Sequence, residues 1–389
     1  MKKLLGTGAM LLLIIYLLPV CCRIYTGTAL GDKAKDALAA YAETEQGNGT
    51  GSGSGSPSAA GGQAQSSGNS YDAADSQGVQ GSSSVWSVGG SGTSTDTGAA
   101  PEGRQVLQDE EITVLVNGEP QAMPLETYVE GVVAAEISPD FPKEAIRAQA
   151  VAARTYAVYK INAGRPMQHR EADVCDDYTH CAAYLDLAAA ASARWGEQAG
   201  EKLQKIQEAV RDTAGEIVTK DGAAIVAVFH AASAARTESA EAVWGSEIPY
   251  LQSVVSPGGS ACDKFEGTVR LSHEEFRKKV MENYPAADLS GDPKRWFSAS
   301  TRSEAGSVIV CTLGDVQVKG TDLRNIFGLN SANFTLTITD DSISFHTIGY
   351  GHGVGLSQYG AKYFAGQGSS YKEILSHYYP GTEITTLAG

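Results

Sequence analysis

The stretch "PLETYVEGVVAAEISPDFP" places a carboxylate where an apolar side chain is expected. Read as a helix beginning after Pro124, it sets Leu125, Tyr128, Val129, Val132 and Val133 on one apolar stripe by i, i+3, i+4, i+7 and i+8 spacing. Glu136 is next on that stripe, whereas Glu126 and Glu130 point elsewhere, toward solvent. A carboxyl on a buried face loses hydration, and one at a helix C-terminus meets the negative end of the dipole; both favour the protonated form. The expectation is a raised pKa, and with it an acid able to protonate a leaving oxygen. The competing reading is a carboxylate that caps the helix or pairs with an arginine such as Arg154.

Two further stretches carry chemistry. "HREADVCDDYTHC" holds His169, Cys175, His180 and Cys181, two nitrogens and two sulfurs of the kind Zn²⁺ takes tetrahedrally. A Cys175–Cys181 disulfide with two surface histidines is the alternative. Four protein ligands would leave no open position for water, so a metal there would be structural. "GYGHGVGLSQYGA" lacks the Lys-Ser/Thr of a phosphate-binding loop. Its glycines allow close backbone approach, while Ser357, Gln358 and Tyr359 offer the donors, acceptors and flat apolar surface that sugar rings require. A tight turn into a helix starting near Ser357 fits the same residues, and His352 fits a structural role equally well.

The elements that must position these groups follow from periodicity. "EITVLVNG" is an alternating strand and turn, followed by the Glu136 helix and a Pro-containing break. "FPKEAIRAQAVAARTYAVYKINAG" reads as a second helix with Pro142 near its start and Gly164 at its end. Gln149, Ala152 and Tyr156 share one face of it, and Arg147 and Arg154 lie on another. A helix over "EQAGEKLQKIQEAVRDTAG" and strands at "EIVTK", "AAIVAVFH", "SVIVCTL", "NFTLTITD" and "SISFHTIG" complete a mixture without regular βαβ alternation, which indicates an α+β fold with antiparallel strands.

The chain has 389 residues and a net charge of −15, which leaves no excess of Lys and Arg to displace counterions from phosphates and so excludes a general nucleic-acid binder. Residues 1–25 contain a 17-residue apolar run after Lys2 and Lys3 and read as a signal-anchor helix in the cytoplasmic membrane, with a cleaved signal peptide as the rival. Residues 26–104, Gly/Ser-rich from about Gln46 to Ala100, read as a flexible tether. Its roughly 55 biased residues span on the order of 40 Å. Residues 105–389 form the folded region, whose Cys175, Cys181, Cys262 and Cys311, outside the cytoplasm, call for pairing or metal ligation.

The segments "LETYVEGVVAAEISPDFPKEAIRAQAVAARTYA", "FHAASAARTESAEAVWGSEIPYLQSV" and "GYGHGVGLSQYGAKYFAGQGSSYKEILSHYYPGTEI" resemble, in order and spacing, the stage II sporulation protein D family of peptidoglycan lytic transglycosylases. The resemblance spans nearly all of residues 110–389. It implies cleavage of peptide-free glycan strands to 1,6-anhydro-N-acetylmuramic acid ends during engulfment of the forespore, with Glu136 as the catalytic acid. It implies candidate substrate contacts at Gln149, Arg154 and Tyr156, at Ser233 and Arg236, and at Ser357, Gln358 and Tyr359. It further implies a zinc site at His169, Cys175, His180 and Cys181, a partner amidase, membrane proteins that localise both, and a single-pass protein whose catalytic domain faces the septum from the mother-cell membrane. The middle segment departs from the family's Ser-x-Gly-Gly-x-Thr pattern, with Ala234 and Ala235 in place of the glycines. A noncatalytic glycan-binding module that recruits or stimulates an amidase is the principal rival, and a zinc-dependent amidase or hydrolase a third reading.

Overall fold

The structure, a computed structural model, describes residues 106–388 apart from Asp109. The expected anchor and tether lie outside the described residues. Among the described residues no helix is long and apolar enough to cross a membrane.

Strands β1 (Glu111–Val116) and β2 (Glu119–Pro124) form a hairpin turned by Asn117 and Gly118, both at positive φ. Helix α1 (Leu125–Glu136) begins directly after Pro124, and α2 (Lys143–Asn162) after Pro142. The short β3 (Val174–Cys175) pairs in parallel with β1. Helices α3 (Leu187–Trp195) and α4 (Ala199–Arg211) lead to β4 (Glu216–Lys220), β5 (Ala223–Ala224) and β6 (Phe229–His230), and then to α5 (Ala240–Trp244). The continuous strand expected over "AAIVAVFH" is not formed. Only its two ends pair, because β5 joins β4 while β6 joins a different partner further along the chain.

A separate unit follows: β7 (Glu266–Ser272), α6 (His273–Asn283), β8 (Phe297–Arg302), β9 (Val308–Leu313), β10 (Val316–Lys319), α7 (Gly320–Phe327), β11 (Phe334–Ile338) and β12 (Ser342–Ile348). It makes two antiparallel three-stranded sheets, ordered β10-β9-β8 and β11-β12-β7, around its own core of Phe276, Phe327, Phe334 and Phe345. The chain then returns to the first unit through β13 (Leu356–Ser357), α8 (Gln358–Gly366), α9 (Tyr371–Tyr378) and β14 (Glu383–Thr386), with β13 beside β6 and β14 beside β4. The α+β expectation holds, with the parallel pairs β1–β3 and β6–β13 added.

Helix α2 is the axis of the first unit. It packs against α1, α4, α8, α9 and β4, and nearly every residue from Ala145 to Val158 is buried. Its alanines keep the neighbouring backbones close, and its buried polar side chains Gln149, Arg154 and Thr155 find partners on the elements packed around it. The core joins this helix to Val129, Val132 and Val133 of α1 and to Phe364, Ile374 and Tyr378 of α8 and α9. Segments more than 200 residues apart in sequence are thereby brought to one side of α2.

Candidate active site

The stripe read from the sequence is the buried face of α1, with Leu125, Tyr128, Val129, Val132 and Val133 all inside. Glu136 is the last helical residue. The backbone turns extended at Ile137, and Pro139 keeps the helix from resuming. The Glu136 carboxyl is partly shielded and held from two directions. Oε1 accepts the Ala183 N–H at 3.2 Å, and Oε2 accepts the Gln358 side-chain amide at 3.4 Å. The same Gln358 nitrogen lies 3.5 Å from Gln149 Oε1, so α1, α2 and α8 meet at this carboxyl. The amide nitrogen of Gln149 is buried without a partner. Loss of hydration raises the Glu136 pKa; the two hydrogen bonds and the charge of Arg194 lower it without cancelling the effect.

The Ala183 N–H arrives on a loop organised by the histidine and cysteine cluster. His169 ends a short helical turn, Cys175 ends β3, and His180 and Cys181 follow a turn in which both amides donate to the Asp177 carbonyl. His180 Nδ1 is 3.0 Å from His169 Nε2, 3.7 Å from Cys175 Sγ and 3.3 Å from Cys181 Sγ, and Cys181 Sγ is 3.5 Å from His169 Nε2. The ligand atoms of all four residues lie within 4.8 Å of one another. His169 Nδ1 donates to the Ala172 carbonyl at 3.0 Å, which turns Nε2 toward the cluster. Cys175 and Cys181 are free thiols, so the alternative disulfide is not formed. Two residues after Cys181 the chain runs along α1: Tyr184 stacks on Tyr128 with ring centres 5.7 Å apart, and the Leu185 N–H donates to Gly131 O at 3.1 Å. Any side chain at Gly131 would overlap the Tyr184 ring, so this glycine admits the loop that delivers Ala183.

The glycine-rich segment packs closely on protein, and its Gly349, Gly351 and Gly353 also line a cleft there. Gly349, Gly351, Gly353 and Gly355 all have positive φ, and a Cβ on Gly355 would clash with the Val228 carbonyl. Four alternate glycines thus let the segment thread beside residues 228–238. His352 is structural there, with Nε2 donating to the Phe229 carbonyl at 2.9 Å and Nδ1 accepting the Val354 N–H at 3.1 Å; burial holds its pKa down to about 4. Positive φ outside glycine occurs, among the described residues, only at Asn117 and Asp221, neither of them in the middle segment. Ala234 and Ala235 therefore sit in ordinary backbone, and their departure from the glycine pattern costs no strain.

Of the expected substrate contacts, Gln358 meets Glu136, Gln149 meets Gln358, and the half-buried Tyr359 ring packs edge-on against Phe141 at 5.1 Å, Phe141 lying five residues after Glu136. Ser233 and Arg236 line a separate cleft between the two units, with Glu238, Asn333 and His352. Ser233 Oγ donates to His230 Nε2 at 2.6 Å, and Arg236 is tied to Ser253 and Glu304. Three expectations are corrected. Arg154 is fully buried and grips Glu126 with two donors at 2.7 and 2.6 Å, its remaining donors meeting the Glu216 and Val210 carbonyls. Glu126 is accordingly an ion-pair partner and not a solvated side chain. Tyr156 is buried, and burial raises its pKa. Ser357 is wholly buried and caps α8, its Oγ accepting the Gly360 N–H at 3.2 Å. Cys262 and Cys311 are unpaired and belong to different cores.

The site also contains groups that periodicity did not find. Ala183 acts through its backbone, which no side-chain pattern reveals. Arg194, at the end of α3, reaches the C-terminus of α1, where Nη2 donates to Ala135 O at 3.5 Å. Lys362 lies on α8 one turn after Gln358, with Nζ 4.7 Å from the Phe141 ring centre and 5.3 Å from that of Tyr359.

Residues 118–219, which include α1, α2 and the cluster, match the family model described as Stage II sporulation protein. Stage II sporulation protein D of Bacillus amyloliquefaciens is 38% identical over 263 residues, covering 68% of this chain and 74% of that protein. Stage II sporulation protein D of Bacillus subtilis (strain 168) is 34% identical over 297 residues, covering 75% and 84%. The amidase enhancer of Bacillus subtilis (strain 168) is 26% identical over 310 residues, covering 66% of this chain and 40% of the enhancer. With identity of this extent across most of both partners, the chain belongs to the stage II sporulation protein D family.

Proposed function

We propose that the chain is a lytic transglycosylase that cuts peptide-free peptidoglycan strands during engulfment, with Glu136 as its single acid and base. The observation that carries this reading is a shielded carboxyl, its pKa raised by burial, that accepts the Ala183 N–H and the Gln358 amide at the meeting of α1 and α8. Protonated Glu136 gives its proton to the glycosidic oxygen as the bond to C1 of the muramic acid breaks. The carboxylate so formed takes the proton of the 6-hydroxyl while that oxygen attacks C1 and closes the 1,6-anhydro ring. A hydrolase needs a second carboxyl to activate water or to serve as nucleophile, and this ring closure does not. Ala183 and Gln358 hold the carboxyl in place, and the buried Gln149 lies against Gln358 in turn.

His169, Cys175, His180 and Cys181 fit Zn²⁺. Bonds of about 2.3 Å to sulfur and 2.0–2.1 Å to nitrogen imply ligand–ligand edges of roughly 3.3–3.8 Å in a tetrahedron, close to the separations of these four donors. With its four positions filled by protein, the ion would supply folding energy to the loop and no Lewis acid to the substrate. Metal analysis of purified protein should give one zinc per chain, and none would overturn this assignment. Anchorage in the mother-cell membrane through residues 1–25, a tether over 26–104, and partnership with a septal amidase and localising membrane proteins belong to the same proposal.

The second reading, a noncatalytic glycan-binding module acting on an amidase, draws on the similarity to an amidase enhancer. Digestion of purified peptide-free glycans separates the two. Anhydro-muramic ends detected by mass spectrometry, and absent with Glu136→Gln, support cleavage; intact strands that nevertheless bind the protein support the module.

A further inference from the structure

The cleft between the two units holds a carboxylate that no described residue neutralises. Two acids are buried among the described residues, Asp173 and Glu238, each 4% exposed. Asp173 is compensated: Arg165 Nε donates to its Oδ1 at 3.0 Å and Nη2 to its Oδ2 at 3.3 Å, and Oδ2 also accepts the Thr113 N–H at 2.9 Å. Glu238 enters no ion pair among the described residues. Its Oε1 accepts the Ser307 N–H at 3.3 Å, a donor shared with Ser303 Oγ at 3.0 Å, and its Oε2 is buried without a partner. No other carboxylate oxygen of the described residues is left so. Arg236, the one arginine or lysine that lines the cleft, is spent on Ser253 and Glu304. The stem of Glu238 is held in place, since its N–H donates to Gly353 O at 2.7 Å and a Cβ on Gly353 would come within 2.7 Å of its Cγ.

We infer that Glu238 holds a monovalent metal cation, Na⁺ or K⁺, at the junction of the two units. Ionised, Oε2 carries charge with no counter-ion, and protonated it would be a donor with no acceptor, so either form calls for a ligand from outside the chain. A water would satisfy the oxygen but leave the charge. The other groups of the cleft fix the class of ion. Its side-chain donors are oxygens, the hydroxyls of Ser233, Ser307 and Ser331 and the amide of Asn333, whose nitrogen is taken by the Ala305 carbonyl at 3.1 Å and whose oxygen is left to accept. His352 offers no lone pair, because Nε2 donates to Phe229 O and Nδ1 accepts the Val354 N–H. Oxygen ligands without nitrogen or sulfur select a hard cation and not zinc. One carboxylate balances one positive charge, which favours an alkali ion over Ca²⁺. The ion would join the first unit, through Glu238, to the inserted β7–β12 unit, whose Ser307, Ser331 and Asn333 line the same cleft.

The test reads stability, which does not depend on glycan cleavage. Denaturant unfolding of the full chain is followed while NaCl or KCl replaces tetramethylammonium chloride, a cation too large for the cleft, at constant ionic strength. The folded-to-unfolded ratio should rise saturably and stand about tenfold higher once the ion is at ten times the midpoint of its effect. Glu238→Gln, which keeps the shape and removes the charge, should abolish that response. If the Gln variant does not fold, Glu238→Asp decides: it keeps the charge but withdraws it by one methylene, and should move the midpoint to about tenfold higher ion concentration. A parent protein indifferent to the exchange overturns the inference. A response that persists in Glu238→Gln, or an unchanged midpoint in Glu238→Asp, overturns it too, because the ion would then bind elsewhere. Stabilisation by Ca²⁺ but by neither alkali ion overturns the assignment of charge.

Discussion

The two ends of α1 carry the same side chain in opposite surroundings. At the N-terminal end Glu126 is gripped by the fully buried Arg154, accepts the Gly215 N–H at 3.1 Å, and lies where the helix dipole favours a negative charge. At the C-terminal end Glu136 has lost much of its hydration, meets the unfavourable end of the dipole, and receives only one N–H and one long contact from an amide. One carboxylate holds α1 to α2 through its pair with Arg154, and burial favours the protonated form of the other. Residue type and helix membership are shared, so the difference comes from what the rest of the chain brings to each end.

That contrast can be broken at either end. Glu136→Gln should reduce formation of anhydro ends by at least about a thousandfold while the melting temperature stays near that of the parent, measured by product analysis and thermal unfolding on the same samples. An active Gln variant would remove the distinction. Arg154→Met should do the reverse, costing roughly 3 kcal/mol of stability, because Glu126 loses its counter-charge inside the packed helices. Denaturant unfolding measures this, and the variant that remains folded should retain its affinity for glycan.

The pH dependence separates the ends more finely. A raised Glu136 pKa means that the folded protein binds a proton there which the unfolded chain has already released. Glu136 therefore contributes stability that is present below the ordinary glutamate pKa and is lost as pH rises through the folded value. Catalytic rate should fall over the same upper limb, since the acid form is consumed. Glu136→Gln should flatten the stability profile in that window; an unchanged profile would mean that the carboxyl titrates as in the unfolded chain. The smallest effect is expected at Ser357→Ala, which removes the α8 cap for about 1 kcal/mol and should leave glycan affinity intact, in contrast to substitution of its neighbour Gln358.

The apolar stripe of α1, the alanine-rich α2 and the zinc-type donor set were legible because each depends on nearby sequence, whereas Ser357, read as a substrate contact, proved to be the buried cap of α8. The stripe even marked Glu136, since a carboxylate in phase with buried valines needs no alignment to stand out. Arg154 was misread for the opposite reason. Its spacing on α2 is real, but its partner lies 28 residues earlier and was itself taken for a solvated side chain. Arg194 and Lys362 carried no local signal, being single cations on helices with ordinary surface composition.

The glycine segment shows how far local reading goes. Its composition correctly implied close backbone approach, but what it approaches is the chain at residues 228–238, reached only after the whole β7–β12 unit has intervened.

By itself, then, the order of residues determined which faces would be buried, where α1 must stop, and that a carboxyl would end up on the dry side of a helix. These follow from backbone geometry and hydration, which act over a few residues. Only the tertiary structure decided which carboxyl would meet an arginine and which an amide, because those partners lie 28, 47 and 222 residues away and their arrival depends on packing around α2. A proton's affinity for a side chain is set by its immediate surroundings, and here those surroundings are assembled from both ends of the folded chain.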